Sequence, residues 1–198
     1  MAVGTLAPAW PVPPEGGWQA DDLDSLPDLP EHTQLIDASL VFPCPQSVFH
    51  TRALGLIGRG LTSSAPAEVE MIQRFTIDLD AQNRPEPDVV VIRQAALEGF
   101  EQTRVAAADV VLVVEVVSPD SASRDRETKP MKYARAKIPH FWRVENERGR
   151  AVVHAFELEP TTGTYTSVGI FRDRMKAEAP FPVDLDLTGI KTRRDTAE

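Results

Sequence analysis

The run Val110-Val111-Leu112-Val113-Val114-Glu115-Val116-Val117, closed by Ser118-Pro119, decides the fold. Eight mostly β-branched residues read as a strand buried on both faces, the mark of a central strand in a sheet covered by helices. Glu115 interrupts it. A carboxylate there is costly unless a metal, a cation or several hydrogen bonds compensate it. Upstream, Pro87-Asp88 opens a second apolar strand, Val89 to Ile92. Downstream, Lys129 falls in a helical segment. Two carboxylates on neighbouring strands with an amine nearby are the parts of a site for metal-assisted phosphodiester cleavage.

Outward from this centre the pattern is α/β: a mixed sheet flanked by helices. Leu35 to Phe42 reads as a strand, and Ser47 to Leu61 as an amphipathic helix weakened by Gly55, Gly58 and Gly60. Val69 to Ile72 and the alternation of Phe75, Ile77 and Leu79 predict two more strands. Ser118 to Arg124 crosses over into a helix running to about Lys137. Phe141 to Val144 is a strand. Ala151 to Leu158 and Tyr165 to Ile170 form a hairpin across Pro160-Thr161-Thr162-Gly163. Pro182 to Leu187 is a short closing strand. Residues 1–30, rich in Pro and Asp, are expected as a partly flexible leader with a short helix around Ala20 to Leu26. Residues 31–190 are expected as a single domain, and 191–198 as a polar tail.

Composition narrows the function. The 198 residues are 42% hydrophobic and 26% charged, ordinary for a soluble globular chain of this length. No apolar stretch reaches the length of a membrane span, and no Lys or Arg precedes Arg52, so no signal or transit peptide is expected. Cys44 is the sole cysteine, which excludes an intrachain disulfide and a cysteine zinc cluster and suits a reducing cytoplasm. The net charge of −9 is unevenly spread. Residues 1–51 hold seven acidic and no basic side chains, whereas 124–150 hold nine basic and four acidic ones. Phosphate recognition depends on the local field, so the total does not exclude nucleic acid.

Each candidate residue has a plainer reading beside the chemical one. Asp88 and Glu115 can share one magnesium or manganese ion. Alternatively, Asp88 caps backbone groups after Pro87, and Glu115 forms a buried ion pair with Arg93 or Lys129. Pro130 is tolerated in a first helical turn, which makes Asp125 or a neighbour the helix start and puts Lys129 above Glu115. An ammonium there orients water or stabilises charge on a phosphate; the plainer reading is an i,i+4 pair with Asp125. The face carrying Lys132, Arg135 and Lys137, with Arg126 beside it, is suited to tracking a phosphate backbone, or is simply a solvated helix face. Tyr133 and Trp142 are placed either to stack on a base or, for Trp142 above all, to fill the core.

At these residues a family likeness appears. Pro87-Asp88-Val89-Val90-Val91, then Leu112 to Pro119 around Glu115, then Asp125-Arg126 with Lys129 and Tyr133-Ala134-Arg135-Ala136, then Ile138-Pro139-His140-Phe141-Trp142, together resemble the Uma-two family of restriction-endonuclease type, within the PD-(D/E)xK nuclease superfamily. Gln34-Leu35-Ile36-Asp37 resembles that family's opening strand, His50 falls where its first helix carries a histidine, and Phe181-Pro182-Val183 resembles its closing strand. The likeness spans roughly residues 20 to 190. It implies a restriction-endonuclease-like core, with Asp88, Glu115 and the Val116 carbonyl as metal ligands and Lys129 as the catalytic lysine. The superfamily's usual lysine position, two residues after the glutamate, holds Val117 here, so the amine must come from the helix. Gln34 stands where the family usually has Glu, which removes a charge, and Ala38 where it usually has Gly. Pro130 is unusual so close to the lysine.

The expectation is a cytoplasmic, Mg2+- or Mn2+-dependent endodeoxyribonuclease, with a homodimer as the candidate assembly, that engages DNA and no membrane. Gln34, His50 and Tyr133 are accessory candidates. The alternative is a weakened or inactive nuclease-fold protein serving as a nucleic-acid or protein binding module.

Overall fold

The computed structural model describes residues 11–190. In chain order its strands are β1 (Gln34–Ile36), β2 (Ser39–Val41), β3 (Val69–Gln73), β4 (Thr76–Asp78), β5 (Val89–Arg93), β6 (Arg104–Ala106), β7 (Val110–Val116), β8 (His140–Glu147), β9 (Arg150–Glu159), β10 (Thr164–Arg172), β11 (Arg174–Ala177) and β12 (Val183–Asp186). The α-helices are α1 (Val48–Ser64) and α2 (Lys129–Arg135). Six strands form the main sheet in the order β10-β9-β8-β7-β5-β3. Within this sheet only the β7–β8 pair is parallel. A parallel pair needs a crossover, and the segment containing α2 supplies it. This is the mixed-sheet α/β fold expected.

The apolar run is buried on both sides, as its lack of alternation requires. Leu112, Val114 and Val116 pack with Ala53, Ile57 and Leu61 of α1 and with Trp142 and Val144. Val113 packs on the other side with Val90, Tyr133, Ile138 and Phe141. Strand alternation therefore turns Glu115 toward α2.

Ser47 caps α1, accepting the His50 N–H at 3.1 Å. The buried stripe of this helix is His50, Ala53, Ile57 and Leu61. Its glycines have a packing cause: a Cβ at Gly58 would run into the Gln73 side chain, and one at Gly60 into Leu185. Helix propensity yields here to close approach.

Three local readings are corrected, and two strands were not foreseen. Leu35 to Phe42 is not one strand but a tight hairpin, with Ile36 paired to Ser39. Asp37 and Ala38 take φ of 48° and 58°, the all-positive turn that suits a two-residue hairpin. The expected helix near Ala20 is a 3-10 turn, Ala20–Asp24, tied down by an Arg84–Asp24 ion pair of 2.9 Å and an Ala20 N–H to Ala81 carbonyl bond of 2.8 Å. The crossover helix ends at Arg135 rather than Lys137, which has φ of 62°. Strands β6 and β11 gave no signal because each buries a single side chain, Val105 and Met175. No helix among the described residues is long and apolar enough to cross a membrane.

Candidate active site

Sheet register brings the two carboxylates together. Val89 pairs with Val114 in the antiparallel β5–β7 ladder, so Asp88 and Glu115 fall on the adjoining rung. Side chains on one rung have Cβ atoms about 5 Å apart. The Asp88 carboxylate is fixed from two sides. Its Oδ2 accepts the Val116 N–H at 2.7 Å, and its Oδ1 lies 3.0 Å from His50 Nε2. His50 comes from the first turn of α1, on the same stripe that packs the helix onto the sheet.

Glu115 is met from the crossover helix. Asp125, Lys129 and Tyr133 follow one another at four-residue spacing and share a face. Lys129 Nζ lies 3.0 Å from Glu115 Oε1 and 3.2 Å from Asp125 Oδ1. The second contact is an ion pair without hydrogen-bond alignment, since Asp125 Oδ1 has no hydrogen-bond donor. Tyr133 donates its hydroxyl to the same Glu115 oxygen at 2.5 Å. Arg93, the other partner considered for Glu115, instead donates to the Ala108 carbonyl.

Burial dominates the electrostatics. It pushes the Glu115 carboxyl up to about 8, against the pull of Lys129, with Asp125 and Asp88 adding to the rise. Burial alone would depress the Lys129 amine, but Glu115 and Asp125 outweigh it and hold the amine well above its usual value. Glu115 and Lys129 thus bear on one proton. The ammonium is the settled member, because Asp125 faces it as a second carboxylate. Burial, reinforced by Glu115, also raises the Tyr133 phenol, which stays a donor.

The approach to Lys129 differs from the sequence reading. Helical backbone begins at residue 122, so Lys129 lies beyond the first turn. Arg124–Thr128 is a π-helical turn in which the Lys129 N–H reaches back to the Arg124 carbonyl. Such a turn widens the ladder immediately before Pro130, the residue that has no N–H to continue it. A proline inside a helix is accommodated this way, and the stripe facing Glu115 is preserved.

Asp88, Glu115, Val116, Lys129, Gln34 and His50 line one cleft. Gln34 reaches it because β1 is bridged to the segment leading into β5, through Leu35 and Arg84. Its Oε1 is buried without a hydrogen-bond donor among the described residues. An amide oxygen, two carboxylates and a backbone carbonyl are hard oxygen donors of the kind Mg2+ or Mn2+ takes. No group of three or more His, Cys, Asp or Glu among the described residues is placed to hold a metal unaided. Magnesium usually binds one or two carboxylates and keeps water and substrate oxygens.

Other expected residues lie elsewhere. Lys132 is bonded to Asp37 at the hairpin turn. Arg126 is held by Glu145, Nε to Oε1 at 3.0 Å. Arg135 is exposed on a separate groove beside β10. Trp142 and Tyr133 are buried in the core, so neither can stack on a base. Two features of the cleft escaped the sequence reading. One is the pair His32–Glu86, 2.7 Å apart; Glu86 stands two residues before Asp88, a spacing that hinted at a shared side. The other is Arg124, which belongs to no recognisable motif.

No curated protein matches the chain. Among solved structures, a protein from Anabaena variabilis ATCC 29413 described as a "putative nuclease belonging to DUF820" superposes with a TM-score of 0.56 at 12% identity, covering 81% of this chain and 88% of that one. That likeness shows a shared fold. The apo form of NucC from E. coli MS115-1 covers 59% of this chain and 74% of its own at 12% identity, with a TM-score of 0.36. The family Uma2, described as "Putative restriction endonuclease", matches residues 20–189, nearly the whole described chain. The chain therefore belongs to the Uma-two family, as the residues around Asp88, Glu115 and Lys129 had implied.

Proposed function

We propose that this protein is a divalent-metal-dependent endonuclease hydrolysing phosphodiester bonds of DNA. The observation that carries the reading is the meeting of three groups in one cleft. Asp88 and Glu115 share a rung of the sheet, and Lys129 lies 3.0 Å from Glu115.

In this reading Asp88 and Glu115, with the Val116 carbonyl and the Gln34 amide oxygen, hold Mg2+ or Mn2+. When bound, the ion supplies Lewis-acid polarisation of the phosphate and lowers the pKa of water. The chain's own residues do the positioning. The Val116 N–H and His50 fix the Asp88 carboxylate. Lys129 and Tyr133 both bond Glu115 through Oε1, which fixes the rotamer and leaves Oε2 as the oxygen for the cleft. Lys129 has three donors. One bonds Glu115, the ammonium also faces Asp125 without a hydrogen bond, and a donor is left for a phosphate oxygen or the attacking water. Val117 cannot play that part, so the helix supplies the amine that the strand lacks.

The test is plasmid DNA incubated with purified protein and Mg2+ or Mn2+. Cleavage is expected, with loss in Asp88→Ala and Glu115→Ala. Cleavage that persists in both variants sinks the assignment. A second reading, a binding module without turnover, is favoured by one feature: Gln34 offers a neutral oxygen where the family usually has a carboxylate. That module predicts salt-sensitive DNA binding with no thermal stabilisation by metal.

A further inference from the structure

The cleft is rich in carboxylates, and a nucleic-acid backbone entering it needs a cation to meet. Lys129 is already shared by Glu115 and Asp125. Arg74, also lining the cleft, bears electrostatically on Glu86. Of the helix residues expected to contact phosphates, Lys132 is engaged by Asp37 and Arg126 by Glu145, and Arg135 is exposed on the separate groove beside β10, away from the cleft. Arg124 is different. It lines the cleft, it is half-buried, and its side chain has no ion pair or hydrogen bond among the described residues.

Its position follows from the same π-helical turn that sets Lys129. Arg124 opens that turn and its carbonyl accepts the Lys129 N–H; Asp125, the next residue, contacts the Lys129 ammonium. The guanidinium is thus anchored to the backbone that carries the proposed catalytic amine. An arginine fork takes two oxygens of one phosphate at once, and an uncompensated charge has no partner to give up first.

We propose that Arg124 is the substrate-binding residue that grips a backbone phosphate beside the scissile bond. This rests on the nuclease reading and adds a recognition element to it. It also moves the nucleic-acid contact from the outer face of α2 to the mouth of the cleft.

The test measures binding of a fluorescein-labelled DNA duplex by anisotropy in EDTA, across a salt series, alongside plasmid cleavage in Mg2+. Arg124→Ala is expected to weaken binding by about 10- to 100-fold and to lower the salt slope by about one. Arg124→Lys is expected to keep the slope but recover only part of the affinity, because the fork is lost. Arg126→Ala is expected to cost less than Arg124→Ala. Melting temperatures of all three identify any variant that fails to fold, and Arg124→Lys then decides. If the wild type cleaves while Arg124→Ala binds with unchanged affinity and slope, the proposal fails and the nuclease reading stands. If Arg124→Ala loses binding but the wild type does not cleave, Arg124 stands and hydrolysis fails. If the wild type neither binds nor cleaves, both fall.

Discussion

Lys129 and Glu115 form a buried ion pair, 3.0 Å from Nζ to Oε1, with 5% and 2% of their surfaces exposed. The pair joins the crossover helix to the central strand. It also couples stability to the proposed chemistry, because the same two groups serve both. A buried pair is worth little against a well-packed apolar replacement, but removing one partner strands the other.

Lys129→Met should therefore be destabilising as well as inactive. It leaves Asp125, and above about pH 8 also Glu115, buried without their cation. A loss of about 3–5 kcal/mol is expected, seen as a fall in Tm on the order of 10 °C. The double variant Lys129→Met with Glu115→Gln should recover part of it in a thermal melt. A single variant as stable as the wild type would show that the ammonium is not holding the carboxylates.

The pH dependence has a definite sign. Burial raises Glu115 from an ordinary carboxyl value to about 8, so between those values the folded protein holds a proton that the unfolded chain has released. Stability without divalent metal is fully present below the unfolded pKa and falls as pH rises from about 4.5 to 8, by up to about 1.4 kcal/mol per pH unit from this group. Urea midpoints against pH measure it, and Glu115→Gln should flatten the slope. Metal binding requires the ionised form, so Mg2+ should raise Tm more at pH 8.5 than at pH 6.5. A larger shift at the lower pH contradicts the assignment of Glu115 as a ligand.

His50 lies 3.0 Å from Asp88 and holds one of its oxygens. Outer partners of a ligand commonly contribute about 10- to 100-fold to metal affinity. His50→Ala should weaken Mg2+ by that order, read as the metal concentration giving half-maximal thermal stabilisation, while His50→Gln should restore part of it. Equal metal dependence in all three proteins would reduce His50 to a packing role.

Ala38 sits in the hairpin turn with φ of 58°, where an L side chain is strained. Ala38→Gly should stabilise the protein by about 1 kcal/mol, a rise in Tm of about 2–4 °C. Chemical denaturation checks the gain. The family's usual glycine at this position has this turn as its physical reason.

Much of this protein could be read from residue order alone. The unbroken apolar run from Val110 to Val117 required a strand with both faces covered, because it has no polar period to present to water. That in turn required helices on either side of the sheet. The anomaly of Glu115 within the run, with Asp88 opening the neighbouring strand, marked the pair as worth explaining, since a carboxylate seldom sits in such a strand uncompensated. Tertiary structure alone settled which cation meets Glu115. Helix placement favoured Lys129 over Arg93 in the sequence, and strand alternation decided for the helix side. It also decided that Lys132 and Arg126 are spoken for and that Arg124 is not, because surface ion pairs such as Lys132 with Asp37 join residues far apart in the chain. The π-helical turn before Pro130 is local, closed by the Lys129 N–H to the Arg124 carbonyl, but no side-chain pattern marks it. The hairpin turn at Asp37-Ala38 and the short strands β6 and β11 were hidden because each leans on a partner outside its own window: Asn83 and Gln82 bond the turn, β4 pairs with β6 and β12 with β11.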